Sequence, residues 1–193
     1  DLGMNFLAVS YDSAGKTSFF EGRHIKDKRA KFAKTRKSLQ QTKTASSRRR
    51  LKKLGNRENR WMTDTNHKVS KALVYGNKEC TLFVIEDLTG IRSQTERVQR
   101  QDRYYSVSWA FYQLREMIEY KALRSGSKVI AVDPKYTSQT CPKCGHTEKA
   151  NRNKNTHTFI CKTCTYTSND DRIGAMNLQR KGIEYIAEVM LSV

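Results

Sequence analysis

The sequence is poor in apolar residues and contains no long hydrophobic run. Of its 193 residues, 37% are hydrophobic, below the roughly 45–50% of an ordinary globular domain. No segment approaches the ~18 consecutive apolar residues of a membrane span. The first residues, Asp1-Leu2-Gly3, lack the charged and then apolar pattern of a secretory signal. These absences argue against membrane and secreted proteins, and they favour a cytoplasmic protein with a modest core and no membrane partner.

Acidic residues are also scarce. The chain has 37 Lys and Arg against 19 Asp and Glu, a formal net charge of +18, and its pI is near 9.9. A surface of this charge attracts polyanions, among which nucleic acid is the commonest partner. An acidic membrane surface is the alternative, but binding to it usually needs an amphipathic helix with a large apolar face. The composition therefore favours nucleic acid, and the missing initiator methionine suggests a fragment.

Four short apolar segments have the length and composition of β-strands. Residues 6–11 and 17–20 predict a β-hairpin. Residues 80–85 and 128–132 are continuous apolar runs, which are typical of strands buried on both faces of a sheet. We therefore expect Cys80 to be a small buried residue within a strand.

Helical patterns separate and follow these strands. Apolar residues at positions 107, 111, 114 and 118 share one helix face, and Gly126 is expected to end that helix. Residues 91–103 predict a loop. A last helix is expected to begin near Asp171, with Gly182 as its weak point. This order of elements predicts an α/β domain with a mixed sheet and flanking helices.

Residues 23–60 carry 16 Lys and Arg against only Asp27 and Glu58. A thin line of apolar residues predicts helix, interrupted near residues 42–47. A solvated helix face is the ordinary explanation of a charge run, but mutual repulsion among so many like charges costs stability without a counterion. We therefore expect this segment to bind the nucleic-acid backbone rather than base edges. The candidate contacts are Lys34, Arg36, Lys37, Arg48, Arg49, Arg50, Lys52 and Lys53.

Four of the five cysteines form two C-x2-C pairs that are separated by sixteen residues. This spacing is typical of four-cysteine zinc sites, because zinc prefers a closed tetrahedron of thiolates. Gly145 supplies the positive φ that such a turn often needs, whereas Thr165 is less favourable at the matching place. Disulfides or a redox pair are the alternatives, but thiols stay reduced inside cells. The expected ligands of this structural zinc are Cys141, Cys144, Cys161 and Cys164.

The few acids are placed at the ends of predicted elements. Asp1 precedes the first strand, Glu86 ends an apolar strand, and Asp170 and Asp171 start the last helix. Each has an ordinary explanation, as a turn residue, a strand-end residue or a helix N-cap. Together, three carboxylates at one sheet could bind hard divalent ions. Two such ions about 3.5–4 Å apart can activate a water and stabilise the leaving oxygen of a phosphodiester.

Four segments carry a resemblance to a known family: Asp1-Leu2-Gly3, Ile85-Glu86-Asp87-Leu88, the stretch YTSQTCPKCG at 136–145 and the stretch DRIGAMN at 171–177. They resemble the C-terminal nuclease half of TnpB, the transposon-encoded RNA-guided endonuclease, and of its miniature relatives, the type V-F CRISPR effectors. The stretch YTSQTC at 136–141, together with the zinc ribbon, is highly specific, and the resemblance covers essentially the whole chain. It implies a RuvC-like, ribonuclease H-type fold with a zinc ribbon inserted before the third acid.

The resemblance also implies which residues are catalytic. The Mg²⁺-binding acids would be Asp1, Glu86 and Asp171. The family usually has Asp-x-Asn-Ala-Ala-x-Asn at the third motif, and counting back six from Asn177 selects Asp171 over Asp170, which is then expected to be a helix-start residue. Relatives carry an arginine in the ribbon that assists phosphate binding. Arg152 is the nearest match here, although the local spacing is one residue longer.

The implied domains are a nuclease core at 1–134 with a basic helical segment at 23–78, a zinc ribbon at 135–169, and the end of the core at 170–193. The leading hypothesis is the nuclease module of an RNA-guided DNA endonuclease, with Mg²⁺, structural zinc, guide RNA and target DNA. The N-terminal recognition lobe of the parent protein would be a further partner, and the resemblance implies the cytoplasm of a prokaryotic cell. The alternatives are a non-catalytic zinc-ribbon nucleic-acid-binding module derived from a transposon protein and a DNA-joining transposase. The acid triad favours the nuclease, since a binding module does not need three acids at those element ends.

Overall fold

The computed structural model describes residues 1–3, 5–87 and 111–192. Its helices are Arg23–Thr42 (α1), Ala45–Tyr75 (α2), Phe111–Arg124 (α3) and Asp170–Leu191 (α4). Its strands are Phe6–Tyr11 (β1), Thr17–Glu21 (β2), Leu82–Glu86 (β3), Lys128–Val132 (β4), Arg152–Asn153 (β5), Thr158–Ile160 (β6) and Thr167–Asn169 (β7). The predicted loop at 91–103 and position 107 of the predicted helix lie outside the described residues.

The predicted hairpin is confirmed. Strands β1 and β2 pair antiparallel, and Asp12 Oδ1 accepts hydrogen bonds from the backbone of Ala14 and Lys16 in the turn between them. On the other edge of β1, Asp1 and Val9 exchange two backbone hydrogen bonds of 2.8 and 3.0 Å. This reciprocal pair is the antiparallel pattern, so the backbone of Asp1 is fixed beside the hairpin.

Strands β3 and β4 pair in parallel, in register from Leu82 opposite Lys128 to Glu86 opposite Val132. In the described residues this pair is a sheet separate from the hairpin, so the single mixed sheet that the sequence predicts is not formed. The expectation of strands buried on both faces is wrong too: only Ile85 is fully buried, since a two-stranded sheet leaves both strands at an edge.

The expected burial of Cys80 is also wrong. Cys80 lies before β3, exposed and with a φ of +59°. A left-handed turn residue points out of the ladder, so this thiol does not enter the core.

The basic segment folds into two helices, with the break where the sequence predicts it. Lys43, at a φ of +53°, ends α1, and the side chain of Thr44 caps α2 by accepting a hydrogen bond from Ser47 N at 3.1 Å. Arg36 of α1 pairs with the buried Glu58 of α2. The interruption therefore turns one long cationic segment back on itself as a helical hairpin.

The main core lies between β1, the helical hairpin and α3. Its buried side chains are Leu7, Ile25, Met62, Val74, Leu114 and Ile118. Burying each such side chain contributes about 1.5–3 kcal/mol. Because the cluster is small, the stability of the fold depends on all of these elements.

Helix α4 runs without a break through Gly182, so the expectation of a weak point there is wrong. A Cβ at Gly182 would lie 2.3 Å from Cγ2 of Val84. The missing side chain lets α4 approach β3 closely, which helps to fix the helix against the strand. No helix in the described part of the chain is both long and apolar enough to span a membrane.

Candidate functional site

The four predicted zinc ligands converge. The sulfur atoms of Cys141, Cys144, Cys161 and Cys164 all lie within 4.8 Å of one another. The Sγ–Sγ distances are 3.6 Å for Cys141–Cys164 and 3.5 Å for Cys144–Cys161. A tetrahedron with Zn–S bonds of about 2.3 Å has sulfurs about 3.8 Å apart, whereas a disulfide needs about 2.05 Å. The donor set therefore fits zinc.

The two C-x2-C turns have the same backbone pattern. Gly145 N donates to Cys141 O at 2.9 Å, and Thr165 N donates to Cys161 O at 3.0 Å. Gly145 has a φ of +77° and Thr165 a φ of +58°. The predicted need for positive φ is thus confirmed at both turns, including the one that carries a threonine.

Backbone groups prepare at least one thiol for metal binding. Burial raises the pKa of Cys161, but the N–H groups of Cys164 and Thr163 and the neighbouring sulfurs lower it to about 6. The thiolate, which is the form that binds zinc, is therefore favoured at neutral pH. Phe159 and Ile173 are buried beside Cys141 and Cys161, and Ile173 belongs to α4, so the cysteine centre packs directly on that helix.

The start of α4 carries the third predicted acid. Asn169 is the N-cap, and its Oδ1 accepts hydrogen bonds from Asp171 N at 3.0 Å and Arg172 N at 3.1 Å. The N-cap interpretation of the two aspartates is therefore wrong, because Asn169 has that role. Their carboxylates are left for other contacts, at the positive end of the helix dipole.

Asp1 lies directly against α4. A Cβ at Gly174 would be 2.4 Å from Oδ2 of Asp1, so glycine is needed for the carboxylate to sit on the helix at this point. The backbone nitrogen of Asp1 lies close enough to Glu86 and Asp171 for the charges of both to act on it. Residues from three distant parts of the sequence thus meet at the N-terminal turns of α4.

Glu86 and Asp171 are unfavourable sites for negative charge. Burial is the main cause that raises the pKa of each carboxyl. Their mutual repulsion raises the pKa of Glu86 further, and the neighbouring Asp170 does the same for Asp171. The positive charges of Arg152 and Lys181 oppose the rise at Glu86. Clustered carboxylates of this kind are common where a cation or a substrate binds.

Arg152 reaches both aspartates of the third motif. Its Nε donates to Oδ2 of Asp170 at 2.7 Å, and its Nη2 lies 3.6 Å from Oδ1 of Asp171. Asp170 is completely buried, and its Oδ1 lies 3.6 Å from Nδ1 of His157. Asp170 is therefore more than a helix-start residue, because it anchors the arginine that faces Asp171.

The predicted triad is not itself the compact donor cluster. In the described residues, the carboxylate-containing cluster with all ligand atoms within 4.8 Å consists of His157, Asp170 and Asp171. Asp1 and Glu86 lie beside it and outside it. Sequence reasoning missed His157, whose signal is weak, and Lys181, which lies ten residues after Asp171 on the same helix.

The predicted backbone-binding residues lie on the helical hairpin. Seven of the eight are exposed, and Arg36 is partly buried by its pairing with Glu58. The exposed residues are Lys34, Lys37, Arg48, Arg49, Arg50, Lys52 and Lys53. Their charges are therefore available to a polyanion.

Two family profiles match the chain. The one described as Cas12f1-like, TNB domain, matches residues 111–178, and the one described as a probable transposase, OrfB of IS605, matches residues 1–90. Both profiles include candidate site residues: Asp1 and Glu86 lie in the second, and all four cysteines lie in the first.

Individual proteins match as well. Cas12f1 of Sulfoacidibacillus thermotolerans is 38% identical over 63% of this chain and 28% of its own length. Cas12f2 of a Micrarchaeota archaeon is 32% identical over 95% of this chain and 36% of its own length. A TnpB-like protein of Methanocaldococcus jannaschii is 30% identical over 86% of this chain and 60% of its own length. The chain thus spans about a third of the Cas12f relatives.

The fold is also found in solved structures. Cas12f1 in a complex with sgRNA and target DNA aligns with a TM-score of 0.69 and 21% identity, over 92% of this chain and 47% of that one. A Cas12f ternary complex aligns with a TM-score of 0.71 and 20% identity, over 92% of this chain and 37% of that one. Motifs, relatives and fold agree, and the chain belongs to the TnpB and Cas12f family.

Proposed function

We propose that this chain is the nuclease part of an RNA-guided DNA endonuclease, with a RuvC-like, ribonuclease H-type core at 1–134 and 170–193 and a zinc ribbon at 135–169. The relatives named endodeoxyribonuclease and the likeness to a fold that was solved with sgRNA and target DNA support this proposal. The observation that carries it is the meeting of Asp1, Glu86 and Asp171 at the start of α4.

In this proposal Asp1, Glu86 and Asp171 hold Mg²⁺. Their oxygens are the hard donors that this ion prefers, and the raised pKa values of Glu86 and Asp171 indicate negative charge that a cation would stabilise. Bound Mg²⁺ supplies an activated water and stabilises the leaving oxygen of the phosphodiester. The chain itself keeps the three carboxylates in place: Asn169 caps α4, and Gly174 lets Asp1 lie against it.

Arg152 would bind the phosphate that is cut. Its Nε is held by the buried Asp170, and its Nη1 donates to Ser138 Oγ at 3.0 Å. These two bonds fix the plane of the guanidinium, which leaves Nη2 beside Asp171. A fixed guanidinium binds phosphate oxygens better than a mobile one, because less side-chain entropy is lost.

The zinc centre would stabilise the fold without taking part in the chemistry, since a closed four-thiolate site has no open position for a substrate. The exposed cations of α1 and α2 would bind the backbone of the guide RNA or of the guide–target heteroduplex. The remaining part of the parent protein would supply the recognition lobe.

The decisive experiment uses the parent protein with its guide RNA and Mg²⁺. Asp1→Asn, Glu86→Gln and Asp171→Asn are each expected to abolish DNA cleavage and to leave guide-dependent target binding nearly intact, because base pairing and backbone contacts supply the affinity. Combining two of these changes should cost little more than one, since they remove the same step. Cleavage rates and filter binding measure the two properties separately.

Asp64→Asn is the matched control, because Asp64 is an exposed acid on the surface of α2 that forms an ion pair with Lys68. It is expected to cut like the wild type. Asp170→Asn should reduce cleavage without abolishing it, because Arg152 loses its charged anchor. If Asp170→Asn is inactive while Asp171→Asn still cuts, the third acid is Asp170. Normal cleavage by all three triad variants would leave the non-catalytic binding module as the better description.

A further inference from the structure

Tyr136 has an unusual backbone for a bulky aromatic residue. Its φ is +64°, in the left-handed region that favours glycine, so a tyrosine here costs conformational free energy. The ring recovers little of this cost by packing, because the residue is 52% exposed. Nζ of Lys135 lies 5.1 Å from the ring centroid, which places a cation at the same point. Packing in the hydrophobic core therefore does not explain why a tyrosine occupies this position.

The turn around Tyr136 is imposed by neighbouring groups. Nδ2 of the buried Asn177 on α4 donates to Thr137 O at 2.7 Å and to Thr140 O at 2.8 Å. The carbonyl of Tyr136 accepts hydrogen bonds from Gln139 N at 2.9 Å and Thr140 N at 3.0 Å. The backbone of Tyr136 is therefore held rigidly on α4, while its side chain is left free to contact a ligand.

The same turn is tied to both sides of the acid site. Ser138, two residues after Tyr136, accepts the hydrogen bond from Arg152, which faces Asp171. Asp133, three residues before Tyr136, accepts a hydrogen bond of 2.5 Å through its carbonyl from Nζ of Lys181. The charge of Lys181 in turn acts on Glu86. Two residues span at most about 7 Å, so Tyr136 lies beside the groups that face the acids.

We propose that Tyr136, with Lys135, is a stacking platform for an unpaired nucleobase of the DNA strand that enters the acid site. This inference rests on the proposed nuclease function and names a positioning residue for it. A base has a flat π-face that stacks on an aromatic ring without regard to sequence, and a neighbouring cation can bind the adjoining phosphate. The rigid turn then sets the distance between that base and Arg152.

Tyr120 is a matched control for Tyr136. It is 41% exposed, and Nζ of the adjacent Lys121 lies 5.2 Å from its ring centroid. Tyr120 differs in lying within α3, and its hydroxyl contacts His67 of α2. The two tyrosines thus have similar exposure and a lysine at a similar distance from the ring, although Lys121 is buried and donates to Ser70. The turn of Tyr136, and not the helical backbone of Tyr120, is bonded to the residues around the acids.

The test uses the zinc-loaded 193-residue chain and a short single-stranded DNA that carries 5-iodouracil, which cross-links to stacked aromatic rings under light. Peptide mapping is expected to find the cross-link at Tyr136 and not at Tyr120. Tyr136→Leu should weaken binding of the same DNA about 5- to 140-fold, as expected for loss of one stacked base. Tyr136→Phe should stay within about twofold of the wild type, and so should Tyr120→Leu.

Tyr136→Gly separates a binding role from a structural one. Glycine adopts a φ of +64° without strain, so this variant should melt at the same or a higher temperature while it binds the DNA as poorly as Tyr136→Leu. Parallel loss of melting temperature and affinity would overturn the proposal. So would cross-linking at Tyr120 instead, or an affinity loss confined to an RNA oligonucleotide of the same sequence.

Cleavage by the parent protein distinguishes this proposal from the nuclease function itself. Tyr136→Leu is expected to raise the DNA concentration needed for half-maximal cleavage more than it lowers the maximal rate. Normal cleavage by Tyr136→Leu together with no cleavage by Asp171→Asn would overturn the platform and leave the nuclease intact. Normal cleavage by both would overturn the nuclease assignment.

Discussion

The cysteine centre and the carboxylate site both pack on the first turns of α4, but they are built differently. All four sulfurs come from one segment of 24 residues, 141–164, and each C-x2-C turn brings its own backbone hydrogen bonds. The carboxylates come from positions 1, 86 and 171, on three elements that meet only through tertiary packing. One centre is mostly local and the other is almost entirely long-range.

This difference predicts opposite energetic roles. Zinc ligands bind their ion with a large free energy, so the cysteine centre stabilises the fold around it. The carboxylates are crowded and partly buried, which raises the pKa values of Glu86 and Asp171 and makes their charges a cost to stability. With zinc bound, the cysteine centre is therefore expected to stabilise the fold, whereas the fold has to keep the carboxylates together.

The largest expected effect is loss of a zinc ligand. Cys161→Ser should release the zinc and unfold residues 135–169, because structural zinc contributes on the order of 10 kcal/mol to small zinc domains. Metal analysis should fall from about one zinc per chain to nearly none, and amide exchange should rise throughout the ribbon.

Cys80→Ser is the control for that experiment, since Cys80 is exposed and lies outside the cluster. It should keep its zinc and its exchange pattern. Full zinc content in Cys161→Ser would show that the cysteine centre is not what closes the ribbon.

The next largest effect is expected at two glycines of α4, one of which affects the position of Asp1 and the other the stability of the fold. In Gly174→Ala the new Cβ would meet Asp1 Oδ2, so the carboxylate has to move, and cleavage by the parent protein should fall at least about tenfold. In Gly182→Ala the Cβ would meet the stiff side chain of Val84 instead. That variant should lose about 1–3 kcal/mol of stability but should keep its activity per folded molecule.

Gly55→Ala is the control for these two glycine variants, because in the described residues nothing lies within 4 Å of a Cβ at Gly55 in α2. It should stabilise the chain by about 0.5–1 kcal/mol. Denaturant melts and cleavage rates together give both quantities for each variant. Equal activity losses in Gly174→Ala and Gly182→Ala would remove the distinction between the two contacts.

A smaller change in stability is expected at the carboxylate site, and its sign is opposite to that of losing a cysteine ligand. Asp171→Asn should raise the melting temperature of the zinc-loaded chain at pH 7 without Mg²⁺. The folded state raises the pKa of Asp171 above its ordinary value of 3.8, chiefly by burial, so the wild type loses stability as the pH rises through the folded pKa. The advantage of the variant should therefore vanish below about pH 3.8, where both forms are neutral. A variant that melts lower at pH 7 would contradict this sign.

The smallest effect tests the two turns of the cysteine centre against each other. Thr165→Gly should stabilise the zinc-bound ribbon by about 1 kcal/mol, because its φ of +58° suits glycine. Gly145→Ala should destabilise it by a similar amount at a φ of +77°. Thermal melts of the zinc-bound chain measure both. Equal signs for the two variants would mean that the turns are not equivalent.

The features that could be predicted from the sequence are the local ones, and those that could not be predicted are the long-range ones. The spacing of the cysteines, the break at residues 42–47 and the last helix were all predictable, because each depends on neighbours within a few residues. The exposure of Cys80 and the continuity of α4 through Gly182 were not, because each depends on tertiary packing: the thiol stays exposed, and Val84 packs against the glycine.

Asp170 shows most clearly what could not be predicted from the sequence. The sequence offers two adjacent aspartates before a helix, and their side chains have the same chemistry. Only the structure shows that Asp170 is completely buried against Arg152, while Asp171 stays partly exposed and faces Glu86 and Asp1. On a helix, adjacent residues point about 100° apart, so one step along the chain separates an anchoring residue from a candidate metal ligand.

By itself the sequence determined the strong positive charge, the clustering of the four cysteines and the two basic helices, since composition, cysteine spacing and helical periodicity are properties of the sequence or of near neighbours in it. The tertiary structure decided which acid faces the site, that Asn169 rather than an aspartate caps α4, and that Arg152 is anchored on both Asp170 and Ser138. These contacts join residues that are far apart in the chain or differ only in direction. Close packing of α4 on its neighbours sets them, and no local pattern in the sequence encodes that packing.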